Sequence, residues 1–199
     1  MNALIYDIEI LAAVPPKDPA ERKRGVQYCQ GWKDFAGMGI SCIGAYDYKD
    51  DRYRVFTRGN FSEFSKLCED RDLLVGFNSI AFDNEVIAAF FNEARIQESK
   101  CYDILREVWI ASSLGIHFNY PSHAGFSLDA CCKENFGTFK TGNGATAPAD
   151  WQAGQYGKVI DYCVNDVKLT KQLFDMVLAK TPIKSPKDSG KMLTLRVPV

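Results

Sequence analysis

The sequence predicts a single α/β domain in which a mixed sheet of about five strands, part antiparallel, is flanked by α-helices. Three observations predict it. Four short apolar runs of strand length precede Asn78. Two of them are separated by the turn-forming stretch Asp47-Tyr48-Lys49-Asp50-Asp51, as an antiparallel hairpin requires. Three stretches of helical periodicity follow, and that order suits helices laid on a mixed sheet.

Ala3 to Ile10 is apolar and ends at a proline-rich segment, so it reads as a buried strand. Residues 11–36 contain Pro15, Pro16, Pro19 and the charged run Glu21-Arg22-Lys23-Arg24, which reads as a long excursion. Met38 to Tyr46 and Tyr53 to Thr57 are the two strands of the hairpin. Asn60 or Ser62 caps a short helix through Cys68, and Asp72 to Phe77 supplies a further strand. Helical spacing then appears at Val86, Ile87, Phe90 and Phe91, at Ile104, Leu105, Val108 and Trp109, and from Val159 to Leu178. Residues 115–157, rich in Gly, Asn, Ala and Pro, read as irregular apart from a short helix from Ser127 to Asn135, and connections of such length tend to be functional or mobile. The domain is expected to span 1–180, with 181–199 as a loosely held tail punctuated by Pro182, Pro186 and Pro198.

With 199 residues, 46% of them hydrophobic, the chain is long enough for one sizeable core. Its seven cysteines are odd in number and form no C-x-x-C pair, which argues against a zinc finger or a secreted disulfide framework and for a reduced, cytoplasmic setting. No apolar run approaches the length of a membrane span, and no export signal is read at the N-terminus. A net charge of −1 excludes a general cationic coat for nucleic acid, so any such polymer must be gripped locally.

The informative residues are acids. In a strand, side chains at i and i+2 share a face, so Asp7 and Glu9 project together while Tyr6, Ile8 and Ile10 point the other way. Two adjacent carboxylates within an apolar strand are costly unless a cation sits between them; the other reading is an edge strand with a solvated polar face. Asp83 falls at a helix start behind the turn that Asn78 opens, either aimed at the same site or serving only as a helix cap. Tyr162 and Asp166 are one helical turn apart and border the apolar stripe Cys163, Val167, Thr170, Phe174 and Val177, whereas Asp161 points away. Taken singly these spacings mean little, since Asp83-x-Glu85 and Tyr46-x-x-x-Asp50 repeat them. Together they set four carboxylates and a tyrosine at one edge of a sheet, an arrangement suited to two divalent cations and to phosphodiester hydrolysis.

Asp7-x-Glu9, Gly76-Phe77-Asn78-x-x-x-Phe82-Asp83 and Tyr162-x-x-x-Asp166, in this order, resemble the three exonuclease motifs of the DEDD superfamily of proofreading-type 3′→5′ exonucleases, tyrosine subclass. The resemblance spans Leu4 to about Leu178. It implies a ribonuclease H-like fold and a site for two Mg²⁺ or Mn²⁺ ions held by Asp7, Glu9, Asp83 and Asp166, with Tyr162 positioning water. Asn78 and Phe82, with Ile8 and Ile10 beside the acids, become candidate contacts for the terminal nucleotides. The implied substrates are single-stranded DNA or RNA 3′ ends, DNA favoured, with a polymerase or helicase as a candidate partner. A silent nucleic-acid-binding module of a replication or repair complex, a 3′→5′ exoribonuclease and an endonuclease are the competing readings. The excursion at 11–36 departs from the compact pattern and brings Lys17, Arg22, Lys23, Arg24, Tyr28 and Trp32, either a grip for a single strand or an ordinary solvated loop. His117 and His123 lie far from Asp166 and read as loop residues near substrate. Lys140-Thr141-Gly142-Asn143-Gly144 lacks the strand-to-helix context of a phosphate-binding loop.

Overall fold

From the N-terminus the elements are β1 (Ala3–Ile10), α1 (Phe35–Met38), β2 (Ile40–Asp47), β3 (Arg52–Phe56), α2 (Phe61–Asp70), β4 (Leu73–Gly76) and α3 (Asp83–Phe91). They continue with β5 (Cys101–Asp103), α4 (Ile104–Ala111), α5 (Leu128–Phe136), α6 (Ala147–Gln152), α7 (Tyr156–Leu178), β6 (Ile183–Ser185) and β7 (Asp188–Leu193). The computed structural model describes residues 1–91, 96–138, 142 and 144–198; Lys140, Thr141 and Asn143 of the glycine-rich stretch lie outside them.

The main sheet runs β3-β2-β1-β4-β5. β1, β2 and β3 pair antiparallel, while β4 and β5 lie parallel to β1. This is the mixed α/β sheet expected, in an order compatible with a ribonuclease H-like fold. β1 is therefore the central strand, which removes the edge-strand reading of Asp7 and Glu9.

Strand alternation divides β1 between two cores. Leu4, Tyr6, Ile8 and Ile10 pack with Phe61 and Phe64 of α2 and Val86 and Ile87 of α3 on one face. Ile5 joins Val108, Val167 and Phe174 on the other, beneath α4 and α7. Asp7 and Glu9 share the register of Ile5 and so belong to the α7 face. The stripe on α7 is buried as the spacing requires, from Cys163 through Val177.

Helix α7 approaches β2 closely because residue 44 is glycine. A Cβ there would stand 3.1 Å from Cys163 Sγ and 3.2 Å from Val167 Cγ2, and Gly44 is the register partner of Asp7. The absent side chain lets the helix settle directly over the carboxylate pair.

Several expectations are corrected. Met38 ends α1 instead of opening β2: Asp34 caps α1 by accepting from Gly37 N–H at 3.0 Å, and Gly39, at φ +59°, separates helix from strand. Residues 147–152 form a helix opened by Pro148, where proline's missing N–H costs nothing. The tail is not loose. β6 and β7 form an antiparallel hairpin whose Ile183, Leu193 and Leu195 are buried in the α7-side core. Among the described residues, no helix is long and apolar enough to cross a membrane, and all seven cysteines are free thiols.

Candidate active site

β1 carries Asp7 and Glu9 to a cleft of about 1140 Å³ at one end of the sheet. Ile8, Ile10, Asn78, Phe82, Asp83, Tyr162 and Asp166 line the same cleft, so the structure brings together the nine residues that the motif resemblance marks as ligands, water-positioning group or nucleotide contacts, while Arg22 and Arg24 of the excursion do not line it. Three elements distant in sequence, β1, the start of α3 and α7, supply the five polar groups. Glu9, Asp83, Tyr162 and Asp166 are each less than a tenth exposed, whereas Asp161 faces solvent.

Asp83 is placed by more than its helix. Its Oδ1 accepts the Ile8 backbone N–H at 3.1 Å, between the two acids of β1. β1 and β4 pair only from Ala3 to Ile5, so Ile8 lies beyond the ladder and a side chain takes its donor. That long-range bond fixes the carboxylate against the strand that carries its partners, a duty no simple helix cap performs.

The turn leading to Asp83 is organised by a residue without a sequence signal. Asp103, buried at the end of β5, accepts from Asn78 N at 2.9 Å and Ile80 N at 3.1 Å while capping α4 through Leu105 N at 3.0 Å. Burial pushes its pKa up, and these backbone donors hold it partly down. Asn78 adopts φ +64°, a left-handed conformation that asparagine tolerates better than most residues. Gly76 is required just before it, since a Cβ there would come within 2.4 Å of Ser79 Cβ. In the sequence Asp103 is one more aspartate before a helix, and only the folded turn shows what it holds.

Cys163 is the other residue that sequence reasoning passed over as merely apolar. Its Sγ donates to the Asp7 backbone carbonyl at 3.4 Å and lies 3.7 Å from Asp7 Oδ2. A hydrogen bond with Cys42, burial, and the Asp7 and Glu9 charges together hold its thiol well above the usual pKa, so it is a neutral donor beside the acids. Ligand atoms of Asp7, Glu9 and Cys163 all lie within 4.8 Å of one another. Groups bound about 2.0–2.6 Å from one ion sit at most about 5 Å apart, so this cluster could hold a metal, and its carboxylate oxygens suit a hard cation.

Tyr162 lies against Gly142 and Gly144. A Cβ on Gly142 would come within 2.7 Å of the Tyr162 ring, and one on Gly144 within 3.4 Å of its hydroxyl. Those glycines thus leave room for the tyrosine ring. Asp129, in the first turn of α5, is a further carboxylate of the wall, and its position in the sequence resembles that of any first-turn acid. The histidines are elsewhere: His123 is buried against the Trp109 ring and bonded to Gly115 O at 2.9 Å, and neither it nor His117 lines the cleft.

This fold has a solved counterpart. The family B DNA polymerase from the hyperthermophilic archaeon Pyrobaculum calidifontis matches 88% of this chain with a TM-score of 0.59 and 17% sequence identity. The two share a fold. The match covers 24% of the polymerase chain, so this protein corresponds to about a quarter of that one's length. No family model matches the sequence, and no curated protein matches it.

Proposed function

We propose that the protein is a metal-dependent 3′→5′ exonuclease of the DEDD type, tyrosine subclass, acting on single-stranded nucleic acid with DNA preferred. The observation that carries this reading is the convergence of Asp7, Glu9, Asp83, Asp166 and Tyr162 on one cleft. Four acids facing a polyanion are unfavourable for a protein that only binds it, which disfavours a silent binding module. The fold shared with part of a DNA polymerase supports DNA as the substrate polymer.

In this reading Asp7, Glu9, Asp83 and Asp166 hold two Mg²⁺ or Mn²⁺ ions, which when bound supply charge neutralisation and an activated water. The chain's own groups set the geometry. Tyr162 accepts a hydrogen bond from the water and keeps it opposite the departing 3′ oxygen. Asp83, anchored on Ile8 N–H, keeps the start of α3 in register with β1. Asn78 and Phe82, beside it in the cleft wall, orient the terminal nucleotide. Water gives up a proton and adds to phosphorus, the P–O3′ bond breaks, O3′ takes up a proton to become the new 3′-hydroxyl of the shortened strand, and a 5′-mononucleotide leaves.

The test is a 5′-labelled single strand incubated with Mg²⁺, Mn²⁺ or chelator. The expected product is a ladder descending from the 3′ end, with free 5′-mononucleotide, in either metal and none in chelator. Internal fragments, or an intact substrate in both metals, would overturn the reading.

A second expectation concerns the glycine against the tyrosine. Gly142→Ala should displace the Tyr162 ring and lower kcat by roughly 10- to 100-fold, the scale for a misplaced catalytic group, with KM little changed. A kcat within twofold of the parent protein in single-turnover assays would show that the ring tolerates the methyl group.

A further inference from the structure

The 11–36 excursion forms a wall of the same cleft, and we propose that its Trp32 is a stacking platform for unpaired bases next to the terminal nucleotide. This platform makes the site select single-stranded 3′ ends. The inference rests on the exonuclease reading and adds the residue by which the site recognises an unpaired end.

Trp32 is 70% exposed, although it lines the cleft that holds the four acids. An indole left in water on a concave wall is a surface that a flat apolar ligand can cover. Its ring meets Phe82 edge-on at 6.4 Å between centroids, and Phe35 meets Phe82 at the same distance from α1. Phe82 immediately precedes Asp83. An aromatic path therefore leads from the carboxylates outward to Trp32.

The platform is held in place. Ala13 N–H donates to Gln27 O and Cys29 N–H to Ala13 O, each at 3.0 Å, closing the base of the excursion. Gln152 of α6 clamps it from the opposite side. Its Oε1 accepts from Gln27 N–H at 2.7 Å, and its Nε2 donates to Leu11 O at 2.8 Å. The turn bearing Trp32 is closed by Asp34 N–H donating to Gly31 O at 3.0 Å, and Asp34 then caps α1. A preorganised ring loses little conformational entropy when a base stacks on it.

Charge on the same wall fits a nucleic-acid backbone. Lys17 and Lys23 line the cleft, opposed there by Glu21, and Arg22 lies over the Tyr28 ring at 5.5 Å. Lysines beside exposed aromatics are the combination that tracks a single strand, with phosphates on the cations and bases on the rings. In a duplex the bases behind the terminal pair are covered on both faces by their neighbours, so a stacking platform for those bases favours unpaired ends. Because every base has a π-face, the selection is for strandedness and not for sequence.

The test compares parent protein, Trp32→Ala and Trp32→Phe on single-stranded oligothymidylate and on the p-nitrophenyl ester of thymidine 5′-monophosphate, which has no neighbouring base. Trp32→Ala is expected to raise KM for the oligonucleotide about tenfold more than for the ester, within the range of one base–aromatic stack. Trp32→Phe should recover most of that loss. Equal losses on both substrates, or an unchanged KM on the oligonucleotide, would overturn the platform while leaving the exonuclease reading intact. Fluorescence anisotropy of a labelled single strand in chelator reads the same contact without turnover. Trp32→Ala should weaken single-strand binding about tenfold and leave duplex binding as it was, and equal single-strand affinities would remove the proposal even if the parent protein cleaves neither substrate. Matched DNA and RNA strands show whether the platform serves one polymer or both.

Discussion

Asp7→Asn is expected to lower the rate of 3′-end degradation on the order of 10³-fold or more, since even one preorganised electrostatic contact contributes about 10²–10³ to kcat. Asparagine keeps the shape of aspartate and one acceptor oxygen, so packing against Gly44 and Cys163 is preserved and the change removes a charge. Asp7 is the acid nearest the centre of the construction: it sits on the central strand, in register with Gly44, with Cys163 Sγ 3.7 Å from its Oδ2. Removing it also relieves repulsion with Glu9, so the thermal midpoint should hold or rise slightly. Inactive but stable is the signature of a site residue, whereas inactive and unstable would indicate a structural one. Mn²⁺ titration by calorimetry should lose binding in parallel. Degradation within tenfold of the parent rate would take Asp7 out of the ligand set.

Asp47→Ala should remove roughly 3–5 kcal/mol of stability, the usual effect of stripping one partner from a buried ion pair. Asp47 is wholly buried at the end of β2 and accepts from Arg71 at 3.0 and 2.8 Å and from Arg54 at 3.2 Å. Arg71, which ends α2, is only 4% exposed, so without Asp47 its charge is stranded. In a chain of this size the thermal midpoint should fall by about 6–20 °C. The pair also has a pH signature. Burial pushes the Asp47 pKa up, and the hydrogen bonds and charges of Arg71 and Arg54 outweigh it, leaving the carboxyl below its ordinary value of 3.8. A depressed folded-state value contributes stability that is present above about pH 4 and lost as the pH falls through the lower value. Acid titration of unfolding should therefore show a loss in the parent protein that Asp47→Asn lacks. A change under 1 kcal/mol in Asp47→Ala by denaturant titration would mean that water reaches Arg71 and replaces the carboxylate.

Most of the sheet was legible because its strands have one dominant pattern each. Ala3–Ile10 is apolar enough to be central, and the β2–β3 hairpin is punctuated by Asp47 to Asp51. The α7 stripe has helical spacing over its whole length, which is why Cys163 and Val167 could be assigned inward. β5 has no signature in the sequence because three residues, Cys101, Tyr102 and Asp103, show no period at all. α6 has none either, because Pro148 and its alanines resemble the loop around them. The β6–β7 hairpin is built mostly from exposed Lys, Asp, Ser and Gly, and just a few apolar residues anchor it.

What the sequence determined by itself is the pairing of Asp7 with Glu9 on one strand face and of Tyr162 with Asp166 on one helix face, because strand and helix periods dictate which side chains lie together. Tertiary structure alone decided how those faces meet. Gly44 lets α7 rest on Asp7, Asp103 holds the Asn78 turn, Gly142 and Gly144 leave room for the Tyr162 ring, and Gln152 pins the excursion that presents Trp32. The physical reason is separation along the chain. Local spacing fixes direction within an element, but contacts between different elements, whether 25 positions apart as for Asp103 and Asn78 or 141 as for Gln152 and Leu11, depend on packing and on backbone groups left unpaired, and neither leaves a local signal.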